Sequence, residues 1–256
     1  LAESRPAPAA RGRTRRRLAI GIVIGALVVT AVVAGTLVYW KRGAAPWSAG
    51  HGYSPSKVAY VDNQACATCH EPQTREWTGS HHDLAMQHAD AKTVLADFND
   101  ARFTQFGVTS RFFKRDGKFF VNTESSDGKP ADFEIKYTFG VAPLQQYLVE
   151  FPGGRLQSLT IAWDVGKKRW FSLYPGEKIA PDDPLHWTGR YQNWNMMCGE
   201  CHTTDFKKGY DPKADTYETT WSGLNVGCQA CHGPGGDHVA WAKKGSKRGP
   251  SGLVVS

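Results

Sequence analysis

Every cysteine in the chain belongs to one of three Cys-x-x-Cys-His runs: Cys66-Ala-Thr-Cys69-His70, Cys198-Gly-Glu-Cys201-His202 and Cys228-Gln-Ala-Cys231-His232. This spacing is the attachment signature of c-type haem, in which two thiols add across the vinyl groups and the adjacent imidazole binds the iron. The chain is therefore expected to carry three haems c, with His70, His202 and His232 as proximal ligands, and to fold largely around porphyrin. Two rival chemistries also use paired cysteines. Closed Cys-only zinc sites need four ligands each, and three pairs leave one pair over. A thioredoxin-like redox pair does not explain a histidine after the second cysteine in all three runs.

The 256 residues suffice for one large domain or two small ones, and the chain, running from Leu1 to Ser256 with no clear terminal element, reads as part of a longer product. Its net charge of +7 is unevenly spread: residues 1–42 hold eight Lys/Arg against Glu3 alone, and the remainder balances 23 basic against 23 acidic side chains. The basic character thus belongs to one segment, and no nucleic-acid partner is expected.

That segment reads as a membrane anchor. Residues 18–40 form 23 positions without a charge, long enough as a helix to span ~30 Å of hydrocarbon. Arg11, Arg13, Arg15, Arg16 and Arg17 precede it, and only Lys41 and Arg42 follow closely. The asymmetry puts residues 1–17 in the cytoplasm and the body outside. A cleaved signal peptide is the alternative, and it also exports the body. The expectation is a single-pass protein of the cytoplasmic membrane with its haem domain in the periplasm or outside the cell.

Beyond a Gly/Ala/Ser/Pro-rich linker at 41–58, a multihaem domain is expected over 59–242, with a basic tail at 243–256. Glu71 to Asp100 has helical spacing, placing Trp77, His81, Leu84 and His88 on one face. From about 102 to 175 the pattern changes to short alternating runs. Residues 111–114 and 118–121 read as strands joined by an Asp116-Gly117 turn, followed by candidates at 133–137, 146–151, 156–163 and 169–174. The expected class is α+β: a haem-packed helical and loop core, an antiparallel β insert between the first two runs, and one transmembrane helix in front. Only 25 residues separate His202 from Cys228, so the second and third haems should be neighbours.

Six-coordinate iron needs a second axial ligand, and six histidines lie outside the runs. His238 follows the third run after a short Gly-Pro-Gly-Gly-Asp loop, too close to reach around its own porphyrin, so it is expected to serve a neighbouring haem. His186 lies twelve residues before Cys198 and is a second candidate.

The first run followed by Trp77-x-Gly-Ser80-x-His82-x-x-Ala85-Met86, and the third followed by Gly233-Pro-Gly235 and His238, resemble multihaem cytochromes of the cytochrome c554 type. Residues 140–149, Ala162-Trp-Asp164, His186-Trp-Thr-Gly189 and Asn195-Met-Met-Cys198 look like the branch whose longer members carry C-terminal tetratricopeptide repeats. The resemblance implies closely packed bis-histidine haems and favours His82 over His81 as a ligand.

The resulting functional expectation is a membrane-anchored, export-facing cytochrome that transfers electrons between membrane quinol-linked donors and redox partner proteins. Two alternatives stand beside it: a haem enzyme acting on a small nitrogen or sulfur compound, which needs an iron with an open position, and a redox-input module of an assembly protein.

Overall fold

A computed structural model of the chain describes residues 59–245 and 251–253. These fall in the second of two compact units, Lys57–Ser256; the first, Leu1–Ser56, lies outside the described residues.

Strands rather than helices frame this unit. Eleven lie among the described residues: β1 (Met86–His88), β2 (Ala101–Gln105), β3 (Val108–Arg115), β4 (Lys118–Glu124), β5 (Pro130–Phe139), β6 (Leu144–Phe151), β7 (Arg155–Ser158), β8 (Ile161–Asp164), β9 (Arg169–Ser172), β10 (Tyr210–Asp211) and β11 (Thr216–Tyr217). The first nine form one antiparallel sheet in the order β2-β3-β4-β5-β6-β8-β9, with β1 added to β5 and β7 to β6. Its two ends approach each other, and the Gln105 side-chain amide donates to the Tyr174 carbonyl just past β9 at 3.1 Å. The sheet is thus a nearly closed barrel, which leaves little unpaired edge.

The β3–β4 hairpin shows why the local sequence folds this way. Asp116 and Gly117 both take positive φ (51° and 76°), and Arg115 pairs with Lys118 across the two-residue turn. Such a turn matches the twist of the strands it joins. Inward-facing Phe112, Phe119, Tyr147 and Trp170 gather around Phe98, which meets each ring edge-on, while Phe112 and Trp170 stack at 3.5 Å. Each such side chain contributes on the order of 2–3 kcal/mol by leaving water. A second apolar cluster (Met86, Phe139, Leu148, Leu156 and Trp194) takes in the partly buried Cys198. It joins the sheet to the second Cys-x-x-Cys-His run.

The expected architecture needs correcting in two respects. The β region is the main scaffold, not an insert in a helical core: the helices are single turns or little more, and the longest among the described residues, Gly236–Lys243, has eight residues. The predicted helix through 71–100 ends at Trp77. Gly79 adopts φ 78° with its N–H on the Asp83 carboxylate, and Met86–His88 is drawn into the sheet against Tyr137–Phe139. Burial of Met86, 2 % exposed, outweighs a helical periodicity that tertiary pairing does not use. Secondly, no helix among the described residues is long and apolar enough to cross a membrane. Eight residues of helix rise about 12 Å against ~30 Å of hydrocarbon.

Candidate haem-binding site

Each Cys-x-x-Cys-His run folds as one turn of helix. Cys66 lies in α1 (Gln64–Ala67), and His70 caps α2 (Glu71–Trp77). Cys198 joins α3 (Trp194–Met197) to α4 (Gly199–His202). The third run is α5 (Cys228–His232), stopped by Gly233 at φ 73° and followed by α6 (Gly236–Lys243), which carries His238. A helical turn puts the two cysteines, three residues apart, on one side. In all three runs the first cysteine is half-buried and the second, Cys69, Cys201 or Cys231, is exposed.

The tertiary structure gathers the runs. The first and third lie side by side, with the Cys66 and Cys228 thiols in contact. Gln229, in the x position of the third run, pairs its side-chain amide with the backbone of Val61: Val61 N–H donates to Oε1 at 3.0 Å, and Nε2 donates to the Val61 carbonyl. Gly227 packs so closely on Asn63 that a Cβ there would lie 2.6 Å from its amide nitrogen. The second and third runs also meet, as their spacing predicts. Thr204 Oγ1 donates to the Asn225 carbonyl at 2.7 Å and accepts from Gly227 N–H at 2.9 Å. From the first run, the Trp77 indole donates to the Val226 carbonyl at 2.9 Å, and Val226 N–H donates to the His82 carbonyl at 3.1 Å. Sequence reasoning missed Gln229, Thr204 and Trp77 as connectors, because Cys-x-x-Cys-His spacing says nothing about its x positions or about partners 150 residues away.

Two of the named histidines lie close together as a stacked pair. The rings of His70 and His238 have centroids 6.2 Å apart and planes 26° from parallel. His238 Nδ1 lies 2.9 Å from the Ser251 carbonyl, and His202 Nδ1 lies 3.0 Å from the Ala85 carbonyl. A carbonyl partner fixes the proton on Nδ1 and leaves Nε2 as the free lone pair, the arrangement of a metal-binding imidazole. His82 and His232 are exposed. His186 lies elsewhere: it is 6 % exposed, in a cleft at the sheet lined by Phe103, Ser110, Thr123, Tyr174 and Trp187, with no residue of the three runs. Its Nδ1 meets Thr188 Oγ1 at 2.8 Å, and its Nε2 faces the Glu124 carboxylate at 3.8 Å.

The sulfur environments suit neutral species. Burial, with Cys228 alongside, pushes the Cys66 thiol up, and burial does the same to Cys198 with a smaller contribution from Cys201. A desolvated site disfavours thiolate and accepts an uncharged thioether. Two indole N–H groups are buried without a partner, those of Trp194 and Trp241. The first lies four residues before Cys198; the second stacks on His238 at 5.6 Å. Orphaned donors beside two of the sites fit a group that brings its own acceptors, as porphyrin carboxylates do. Among the described residues no three or more His, Cys, Asp or Glu side chains gather as they would for a bare metal ion. The residues present thus fit a tetrapyrrole better than a naked cation.

The sequence matches the family described as cytochrome c554 and c-prime over residues 65–105 and 181–233, two stretches that contain all three runs. The likeness over these two stretches is to c-type cytochromes. No curated protein matches it. Among solved structures, the outer cell wall cytochrome OcwA is similar at 21% identity and a TM-score of 0.47, over 77% of this chain and 35% of that one. The undecahaem cytochrome from the S-layer of Carboxydothermus ferrireducens is similar at 19% identity and a TM-score of 0.43, over 73% and 22%. The chain thus spans about a third or less of the length of either.

The anchored picture drawn from the sequence is overturned. With no membrane-crossing helix among the described residues, the described structure contains neither the membrane partner nor the basis for a single-pass cytoplasmic-membrane location. The expected span at 18–40 and the segments flanking it lie outside the described residues. The assignment as a membrane-anchored, export-facing carrier fed by quinol-linked donors has no support from the described residues.

Proposed function

We propose that the domain binds three haems c covalently, through Cys66 and Cys69, Cys198 and Cys201, and Cys228 and Cys231, with His70, His202 and His232 as proximal ligands. The observation that carries the reading is the stacked pair His70 and His238. Two imidazoles that shared one iron, each bonded at about 2 Å, would have centroids roughly 6 Å apart, and these two rings stand 6.2 Å apart. His70 and His238 would together hold the iron of the haem attached at the first run, with the His238 Nδ1 braced by the Ser251 carbonyl. His82 is the candidate for one of the two remaining irons, since its peptide joins Val226 at the approach to the third run. His186 is left off the ligand set, because its ring nitrogens are turned to Thr188 and Glu124.

Bound haem supplies reversible one-electron chemistry at the iron, tuned by axial ligands and burial. The chain's part is to attach it, set the ligands and exclude water. Placement in the tetratricopeptide-repeat branch is a finer part of the proposal, resting on residues 140–149 and 186–198, and sequence beyond Ser256 tests it.

Intact-mass measurement should find three added haems, and His238→Ala should keep all three while converting one iron from low to high spin in electron paramagnetic resonance. A variant that stays fully low-spin removes His238 from the ligand set, and fewer than three haems on the wild-type chain ends the proposed count.

A further inference from the structure

The pairing of His70 and His238 has to be built, because 167 intervening residues separate them and they sit on different short helices. Neither α2 nor α6 holds its own position: each is two turns or so, too short to be stable without tertiary partners. One side chain bridges the segments that lead into both. Gln229 is 4 % exposed and lies in the first turn of α5. Its Oε1 accepts from Val61 N–H at 3.0 Å and from Gly235 N–H at 2.9 Å, while its Nε2 donates to the Val61 carbonyl. Val61 leads into the first run, and Gly235 is the cap residue of α6, three residues before His238. A second link reinforces the first: Gly236 N–H donates to the Ala59 carbonyl at 3.0 Å, and a Cβ at Gly236 would lie 2.8 Å from that oxygen.

We infer that Gln229 is the positioning residue of the first haem: by tying Val61 and Gly235 to the third run, it sets the distance between His70 and His238, so that axial ligation at one haem depends on the attachment motif of another. The inference rests on the proposed His70–His238 ligation. The chemistry requires an amide. A carboxylate keeps the two acceptor contacts and sets a negative charge against the Val61 carbonyl, an alkyl group leaves two buried N–H donors and one carbonyl without partners, and asparagine is too short to span both segments.

The test uses the haem-loaded protein. Gln229→Leu should retain three haems by mass, because all six cysteines are untouched, yet show one iron in three moving toward high spin, as His238→Ala does. The double variant should add nothing to that signal, since both changes release the same ligand. Gln229→Glu should fall between wild type and Gln229→Leu in high-spin fraction and shift the potential of one haem only. Should Gln229→Leu fail to accumulate, Gln229→Glu carries the test alone, through that same single-haem shift. An entirely low-spin spectrum with unchanged potentials in the variant that accumulates overturns the inference. Wild-type protein that ignores His238→Ala overturns the ligation proposal instead, so the two failures are distinct.

Discussion

His186 shows how a residue suited by type to one task is given another by its surroundings. Burial holds its pKa below the ordinary 6.5, against smaller upward pulls from Glu124 and Asp183. The fold therefore favours the neutral ring. Its contribution to stability stands in full above the unfolded value of 6.5 and is lost as pH falls through the lower folded value. Chemical denaturation compared between about pH 7.5 and pH 5 should show a larger loss for wild type than for His186→Asn, which cannot take up the proton. Equal losses would mean that His186 is not the group responsible. Its supply as a spare histidine twelve residues before Cys198 made this residue a candidate ligand, whereas its place beside Glu124 is a product of β4 and the loop after β9 coming together, which no local pattern encodes.

Among the elements, turns were legible and pairing partners were not. Asp116-Gly117 announces its hairpin because few residues tolerate positive φ, and the flanking strands follow from β-branched and aromatic runs. Pro152-Gly-Gly154 likewise marks a turn, but nothing local shows what Gly154 packs against. It takes φ 71°, and a Cβ there would collide with the Tyr217 carbonyl oxygen, where the short hairpin β10–β11 closes over the turn after β6. Gly117 also has positive φ (76°), but nothing lies within 4 Å of its would-be Cβ. Gly117→Ala should accordingly cost about 1–2 kcal/mol from backbone strain alone. Gly154→Ala should cost roughly 3 kcal/mol or more, because overpacking adds to the same strain. Thermal denaturation of the two variants checks the order, and a milder effect at Gly154 would contradict the close approach. β1 was misread for a related reason: its residues fit a helix in isolation, and only the free side of β5 makes them a strand.

At the scale of the whole molecule, the barrel and the haem-binding segments rest on different foundations. The cluster around Phe98 includes no residue of the three runs, whereas the second cluster reaches Cys198. The barrel should then fold without haem. Replacing all six cysteines by alanine should leave the far-ultraviolet β signature intact and remove hydrogen-exchange protection selectively from 59–78 and 226–243, which the hydrogen bonds of Gln229 and Trp77 tie together. Global loss of protection would show that porphyrin, not the aromatic core, nucleates the fold.

The sequence by itself marked out the three Cys-x-x-Cys-His runs on which the proposed attachment rests, because thioether formation and iron ligation would demand fixed residue types at fixed short spacing, and it determined the strand-rich middle through turn residues and alternation. It did not determine that the sheet is the scaffold, which runs pack together, or which imidazole stacks beside His70. Those depend on contacts between residues far apart in the chain, such as Val61 with Gln229, and they exist only when burial of both partners outweighs the entropy of closing the long loop between them.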